Sequence, residues 1–203
     1  MSKIAIVDYG IGNLRSIKRG LERAGAEVII TNEASRIAES DGIVLPGVGA
    51  FSEAMKNIEP LTPTIVKEVE AGKPLLGICL GMQILFNESM EEGHHRGLGI
   101  FNGRVLCLPK GLKVPHIGWN ALRILKPQSP FVKGIQDGAY VYFAHSYFAE
   151  AKAKEDVVAT TTYGLEFPAI VSRGRIFATQ FHPEKSGETG LRILRNFVEI
   201  LAF

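Results

Sequence analysis

The first half of the chain, as far as about Phe86, alternates short β-branched runs with helical patterns, and this limits the available folds more than any other feature. Ile4–Asp8 reads as a strand. It is followed by Asn13–Ala24, where Leu14, Ile17 and Leu21 share one helical face and Gly25 can close the end. Val28–Thr31 and Ile43–Leu45 read as further buried strands. Pro63 near the start and Gly72 past the end frame a helix over Thr64–Ala71. Leu75–Ile78 then reads as a strand and Leu80–Phe86 as a helix start. Strands that alternate with helices pair in parallel through right-handed crossovers.

After about Gly97 the texture becomes strand after strand, separated by Pro and Gly. The candidates are Arg104–Leu108, Ala121–Leu125, Tyr140–Phe143, Val157–Thr162, Ala169–Ser172 and Arg175–Gln180. Leu191, Leu194, Val198 and Leu201 then give a C-terminal helix with one apolar face. No repeat or linker interrupts the pattern. The expected architecture is α/β: residues 1–203 form one three-layer domain with a central, mostly parallel sheet, a cysteine nucleophile elbow and a strand-rich second half.

Composition enters mainly by exclusion. The chain has 203 residues and a net charge of +2 without a Lys/Arg run, which gives no reason to expect a nucleic-acid partner. The longest mostly apolar stretch, Leu75–Phe86, is too short for a membrane span and contains Gln83. Ile4–Val7 is too short for a signal peptide. Two cysteines without CxxC spacing argue against a disulfide scaffold or zinc ribbon. The expectation is a soluble, reduced, cytoplasmic protein.

The segment PLLGICLGMQILF sets Cys79 between a strand-like and a helix-like run, with Gly77 and Gly81 on either side. This is the G-x-nucleophile-x-G elbow with Cys in place of Ser. Its strained turn leaves no room for neighbouring side chains, and the following helix N-terminus favours a thiolate. The Leu80 backbone N–H then points where an oxyanion forms. The alternative is that Cys79 is a small buried hydrophobe. Cys107, in RVLCLP, lacks flanking glycines and reads as inert strand packing.

A nucleophilic thiol needs a base, and five histidines are available. His94 and His95 fall in the polar run EEGHHRG, a solvated loop by pattern, while His116 and His145 could be satisfied structural histidines. His182 directly follows the apolar run IFATQF and precedes Pro183 and Glu184. Proline disfavours helix at the residue before it, so His182 is expected to be extended, and Glu184 two residues on can reach its ring. That carboxylate would orient the imidazole as the third member of a triad. A strand-end His beside an exposed Glu is the plainer alternative. A second oxyanion donor is expected from Pro46–Phe51, where Gly47 and Gly49 flank Val48 and let backbone approach a ligand closely.

LPGVGAF, GICLGMQ and QFHPEKS, in that order, together resemble the class I (triad-type) glutamine amidotransferases over nearly the whole chain. The finer motifs DYGIGN, PHIGWN and YFAHSY resemble those of the glutaminase subunits of imidazole glycerol phosphate synthase. The resemblance implies L-glutamine as substrate, Cys79 as nucleophile, His182 as acid and base, and Glu184 as its orienter. It also implies an oxyanion hole from the backbone of Leu80 and of Gly47, Val48 and Gly49. Gln83, His145, Ser146 and Tyr147 would seat the amino-acid end of glutamine. Asn13, Trp119, Tyr142 and Lys185 would face a cyclase subunit with a (β/α)8 barrel, which receives the ammonia. No metal and no organic cofactor is implied.

Four other readings remain open. Gly10, Gly12 and Glu33 partly match a dinucleotide fingerprint, but Arg15 stands where its third glycine belongs. NAD(P)H binding would distinguish it. A cysteine hydrolase of another specificity would not release glutamate and ammonia, and a binding subunit that merely keeps the fold would form no covalent adduct. A sibling glutaminase serving a different synthase is opposed only by the interface motifs.

Overall fold

The computed structural model describes residues 1–202. Its first half runs β1 (Lys3–Val7), α1 (Leu14–Arg23), β2 (Glu27–Thr31), α2 (Ala34–Ala38), β3 (Gly42–Leu45), α3 (Phe51–Ile58), α4 (Thr62–Glu70), β4 (Leu75–Ile78) and α5 (Leu80–Gln83). There follow β5 (Phe86–Ser89), β6 (His95–Arg96), β7 (Phe101–Cys107), β8 (His116–Ala121), β9 (Arg123–Ile124), β10 (Tyr140–His145) and β11 (Tyr147–Ala151). The chain then forms β12 (Val157–Tyr163), β13 (Leu165–Arg173), β14 (Ile176–Thr179) and α6 (Gly187–Ile200).

Eight strands make the central sheet in the order β2-β1-β3-β4-β14-β13-β12-β9. Neighbours from β2 to β14 are parallel, whereas β13, β12 and β9 continue it antiparallel. The expected mostly parallel α/β sheet is therefore present. The two-residue period of β1 builds the three layers. Ile4 and Ile6 pack with Ile17 and Leu21 of α1 and Ile193 and Leu194 of α6. Ala5 and Val7 face the other way, toward Ile37 of α2, Phe51 of α3 and Ile65 of α4. All four strand residues are fully buried, and each aliphatic side chain of Val or Ile size contributes about 1.5–3 kcal/mol by leaving water.

Two smaller sheets lie outside this frame: the antiparallel pair β10–β8, and β11-β7-β5-β6. Several elements differ from the sequence reading. The helix expected over Leu80–Phe86 is one turn ending at Gln83, because Phe86 is drawn into β5 and pairs with Phe101. His95 is not in a loop but in β6, opposite Ser89, and His94 meets Glu88 at 2.7 Å. The strand read as Ala121–Leu125 is two strands, β8 and β9, and β11 had no sequence counterpart. Cys107 is exposed at the end of β7, so it is not core packing. Among the described residues no helix is long and apolar enough to cross a membrane.

The elbow depends on glycine for a steric reason. A Cβ on Gly81 would lie 1.9 Å from the Leu45 carbonyl oxygen, and one on Gly77 would lie 2.6 Å from that of Gly81. Neither backbone can yield without breaking the sheet. Gly72 makes the contrast, with φ +93 and open space within 4 Å of where a Cβ would stand. Gly72→Ala is expected to cost only about 1–2 kcal/mol of backbone strain. Gly81→Ala is expected to cost at least about 3 kcal/mol by overpacking. Urea unfolding midpoints of the two variants measure the difference, and equal midpoints would refute the packing explanation.

Candidate active site

Cys79 follows β4 directly and carries φ 55, ψ −109, a conformation that non-glycine residues avoid. Strain of this kind costs about 1–3 kcal/mol and persists only when surroundings over-determine it. Here β4 is held on both sides, by β3 and β14, and the Cys79 N–H donates to the Thr179 carbonyl at 2.7 Å. The turn exposes the sulfur to a cavity of about 220 Å³. Leu80 begins α5, so its N–H has no intrahelical partner and is available to a ligand.

The second wall of that cavity is the segment after β3. Val48 and Gly49 line it, and Val48 is 44% exposed. Gly47 packs on the elbow: a Cβ there would meet Leu80 Cβ at 2.6 Å and Gly81 N at 2.8 Å. The segment is anchored from behind by the buried Tyr9, whose hydroxyl donates to the Pro46 carbonyl. Burial, with the charge of Cys79 adding to it, holds that phenol above its ordinary range and hence neutral.

Gln83, His145, Ser146 and Tyr147 also line the cavity. Both Nε2 protons of Gln83 are committed, to the Tyr147 carbonyl at 2.8 Å and to Gln180 Oε1 at 3.1 Å. Its own carbonyl oxygen takes part in neither bond. Sequence reading missed Glu91, Pro115 and Ala144, which complete the lining. Glu91 accepts the N–H of Phe51, at the start of α3, at 2.9 Å. It lay hidden in the acidic run before the His94–His95 pair, where nothing distinguishes one solvated carboxylate from another.

His182 is extended (φ −96, ψ 98) and buried, and its Nδ1 donates to Glu184 Oε1 at 2.9 Å. A carboxylate only accepts, so this bond fixes the proton on Nδ1 and turns Nε2 toward other partners. Burial disfavours the charged ring, but the nearby Cys79 and the hydrogen-bonded carboxylate of Glu184 outweigh it and push its pKa up to about 10. Nε2 itself makes no hydrogen bond at rest, and the thiol points instead to the Ala144 carbonyl at 3.9 Å. The charges of the two groups are thus coupled while the bond between them is not yet formed, as is common before substrate arrives.

His145 and His116 form a second imidazole pair, with Nε2 of the first 3.0 Å from Nδ1 of the second. His145 Nδ1 donates to the Tyr147 carbonyl at 2.8 Å. Burial lowers the pKa of both, that of His145 to about 4. Both are buried histidines with ring nitrogens near polar partners, and His145 also faces the cavity. Among the described residues no group of three or more His, Cys, Asp or Glu is arranged to hold a metal ion.

Three of the four interface candidates come together. Trp119, 52% exposed, meets Tyr142 edge-on at 5.9 Å, and Lys185 Nζ lies 6.0 Å above the Tyr142 ring. Asn13 has a local task as well: its side chain caps α1 by accepting the Ser16 N–H at 3.3 Å.

Comparison with known proteins agrees with this geometry. A family model described as glutamine amidotransferase class-I matches residues 5–201. The chain is 54% identical to imidazole glycerol phosphate synthase subunit HisH of Methanosarcina mazei, covering 98% of this chain and 100% of that protein. It is 50% identical to the subunit of the same name from Caldanaerobacter subterraneus subsp. tengcongensis, covering 98% of each. Its fold resembles PurLQS from Thermotoga maritima, with TM-score 0.78 and 23% identity over 99% of this chain and 100% of that one. On the matched span and these identities, the chain belongs to the class-I glutamine amidotransferase family, among the HisH subunits of imidazole glycerol phosphate synthase.

Proposed function

We propose that residues 1–203 act as one amidotransferase domain that hydrolyses L-glutamine to glutamate and ammonia. The ammonia passes to the cyclase subunit of imidazole glycerol phosphate synthase, in histidine biosynthesis. The observation that carries this reading is a cysteine at φ 55 beside a cavity, with a buried His182–Glu184 pair as its neighbour. Family membership supports the substrate and the cyclase partner. A (β/α)8 barrel for that partner and a cytoplasmic location rest on the resemblance of the motifs and on two cysteines that are both free.

In this reading the Cys79 sulfur attacks the side-chain amide carbon of glutamine. The oxygen's developing charge falls to the Leu80 N–H and a backbone N–H of Gly47–Gly49. The imidazolium of His182 protonates the departing nitrogen, and ammonia leaves a thioester. His182, now neutral, takes a proton from water as it attacks the thioester, and the thiolate is released with glutamate. The α-ammonium of glutamine falls to Glu91 and the Gln83 oxygen, while His145, Ser146 and Tyr147 bound the rest of its amino-acid end.

Cys79→Ala is expected to lower glutamate release, assayed with the cyclase present, by at least about 10³-fold. Cys107→Ala should keep most of it. A glutamine-like electrophile should label Cys79 in the wild type, as read by peptide mass spectrometry. Turnover by Cys79→Ala at the wild-type rate would remove the nucleophile assignment.

His182→Ala should abolish turnover and Glu184→Gln should impair it less. The neutral amide also withdraws one of the charges that raise the His182 pKa. The limb of the pH–rate profile belonging to His182 should therefore move to lower pH in Glu184→Gln. An unmoved limb, or a Glu184→Gln variant slower than His182→Ala, would reverse the assigned roles.

Partner control is part of the same reading. Glycines on both sides of Val48 permit its peptide to rotate, so the resting segment can withhold an oxyanion donor. Losing one donor typically costs about 10²–10³ in rate. Binding of cyclase and its ligand at Asn13, Trp119, Tyr142 and Lys185 would favour the donating arrangement. Glutamate release should rise when cyclase is added and again with the cyclase ligand. An isolated chain that is already fully active would overturn both the coupling and the rotation.

A further inference from the structure

The HPE segment is preceded by a polar residue that the chemistry described so far does not use. Gln180 follows β14, is 0% exposed, and keeps its backbone paired through its N–H to the Ala169 carbonyl at 2.9 Å. Its side chain turns toward the elbow, where Nε2 lies 3.7 Å from Cys79 Sγ. A carboxamide buried this deeply is costly unless each end finds a partner.

The orientation of that amide is dictated by its neighbours. The Tyr147 carbonyl can only accept, so the Gln83 group that faces it at 2.8 Å must be the NH2. The second proton of the same NH2 then points to Gln180, which must offer its oxygen, at 3.1 Å. Exchanging N and O in either amide would set two acceptors or two donors against each other. Only the Nε2 of Gln180 is left for the sulfur.

The sulfur also has need of a donor. The helix after the elbow is a single turn, so its dipole offers little to a thiolate. His182 Nε2 forms no hydrogen bond at rest. We propose that Gln180 is a further catalytic residue, whose Nε2–H hydrogen-bonds the Cys79 sulfur and stabilises it as a thiolate. The same bond assists twice. It favours the attacking thiolate, and it stabilises that thiolate again when the C–S bond of the thioester breaks and its electron pair returns to sulfur. No proton leaves the amide in either step. The inference rests on Cys79 being the nucleophile, but its test does not require glutamine turnover.

The titratable groups that feel Cys79 are His182 and the neutral Tyr9, and both remain in the variants below. Iodoacetamide alkylation of Cys79, resolved by peptide mass spectrometry in a Cys107→Ser background, reads the thiolate directly across pH. Hydrogen bonds to charged groups predict that Gln180→Leu alkylates about 10-fold more slowly at pH 7 and equally fast at pH 10. Gln180→Glu, which places an oxygen where Nε2 stood, should be slower still at pH 7. A wild-type profile in Gln180→Leu would overturn the proposal, and if that variant turns over glutamine normally, the proposed function stands without it. Should the variants fail to fold, the wild-type chain with ¹⁵N-labelled glutamine side chains provides the same test. The Gln180 amide proton facing sulfur should move downfield with the midpoint of the alkylation profile, and a resonance that does not move refutes the bond.

Discussion

The site hangs on one backbone crossing. Gly81, at the start of α5, passes the Leu45 carbonyl at the end of β3 so closely that a single added carbon would sit 1.9 Å from it. Gly47 completes the contact from the other side, pressed against Leu80. Because of this crossing, the nucleophile's turn and the segment facing it share one packed interface. Their separation is set by contact between main chains, and no side-chain rotamer can alter it. That is a stiff way to hold the two halves of the proposed oxyanion site, and it leaves freedom only beyond Gly47, where Val48 is half exposed and Gly49 takes φ +126. The stiffness explains how Cys79 keeps an unfavourable backbone conformation. The parallel strands beside β4 determine where it must turn, and the glycines remove what would stop it.

Burial acts on three histidines near this crossing with opposite results. His116 and His145 lose solvent and gain mainly neutral partners, so the pKa of each is lowered. His182 loses as much, but gains a carboxylate at 2.9 Å and a coupled thiol, and its charged form prevails. Desolvation alone therefore does not choose the base. The choice is made by Pro183, which keeps His182 extended, and by the two-residue spacing that brings Glu184 back to the ring.

The sequence made visible whatever is local. The elbow, the extended His182 and the glycine pair around Val48 are each encoded within a few residues, by clash, ring constraint or missing Cβ. The three-layer arrangement was visible as well, because periodicity in β1, β3 and β4 reports two buried faces directly. What escaped depends on distant partners. Phe86 looks helical until Phe101 offers it a strand, and Cys107 looks buried until β7 proves to be open on that side. Glu91 acquires its role only when Phe51 brings its N–H, forty residues away in sequence. Gln180 reads as one more strand residue, and its function is defined wholly by Gln83, ninety-seven positions earlier. The dinucleotide reading of Gly10 and Gly12 gives way to the family match.

The proposed partner surface and the base are joined by main chain. The His182 N–H donates to the Tyr142 carbonyl at 2.9 Å, and the Tyr142 N–H donates to Ser186 Oγ, also at 2.9 Å. Ser186 Oγ in turn donates to the His182 carbonyl at 2.6 Å. The closed ring of bonds ties β10 to the HPE turn through main chain and one buried hydroxyl. Tyr142 is also the centre of the aromatic and cationic patch with Trp119 and Lys185. A partner that presses on this patch would therefore press on the strand whose main chain is hydrogen-bonded to that of the base. Mechanical coupling between two sites needs a packed element whose position both can bias. β10 carries Tyr142 near its middle and, at its end, His145, which faces the cavity beside Cys79. The same strand thus touches the proposed partner surface, the base and the substrate pocket within six residues.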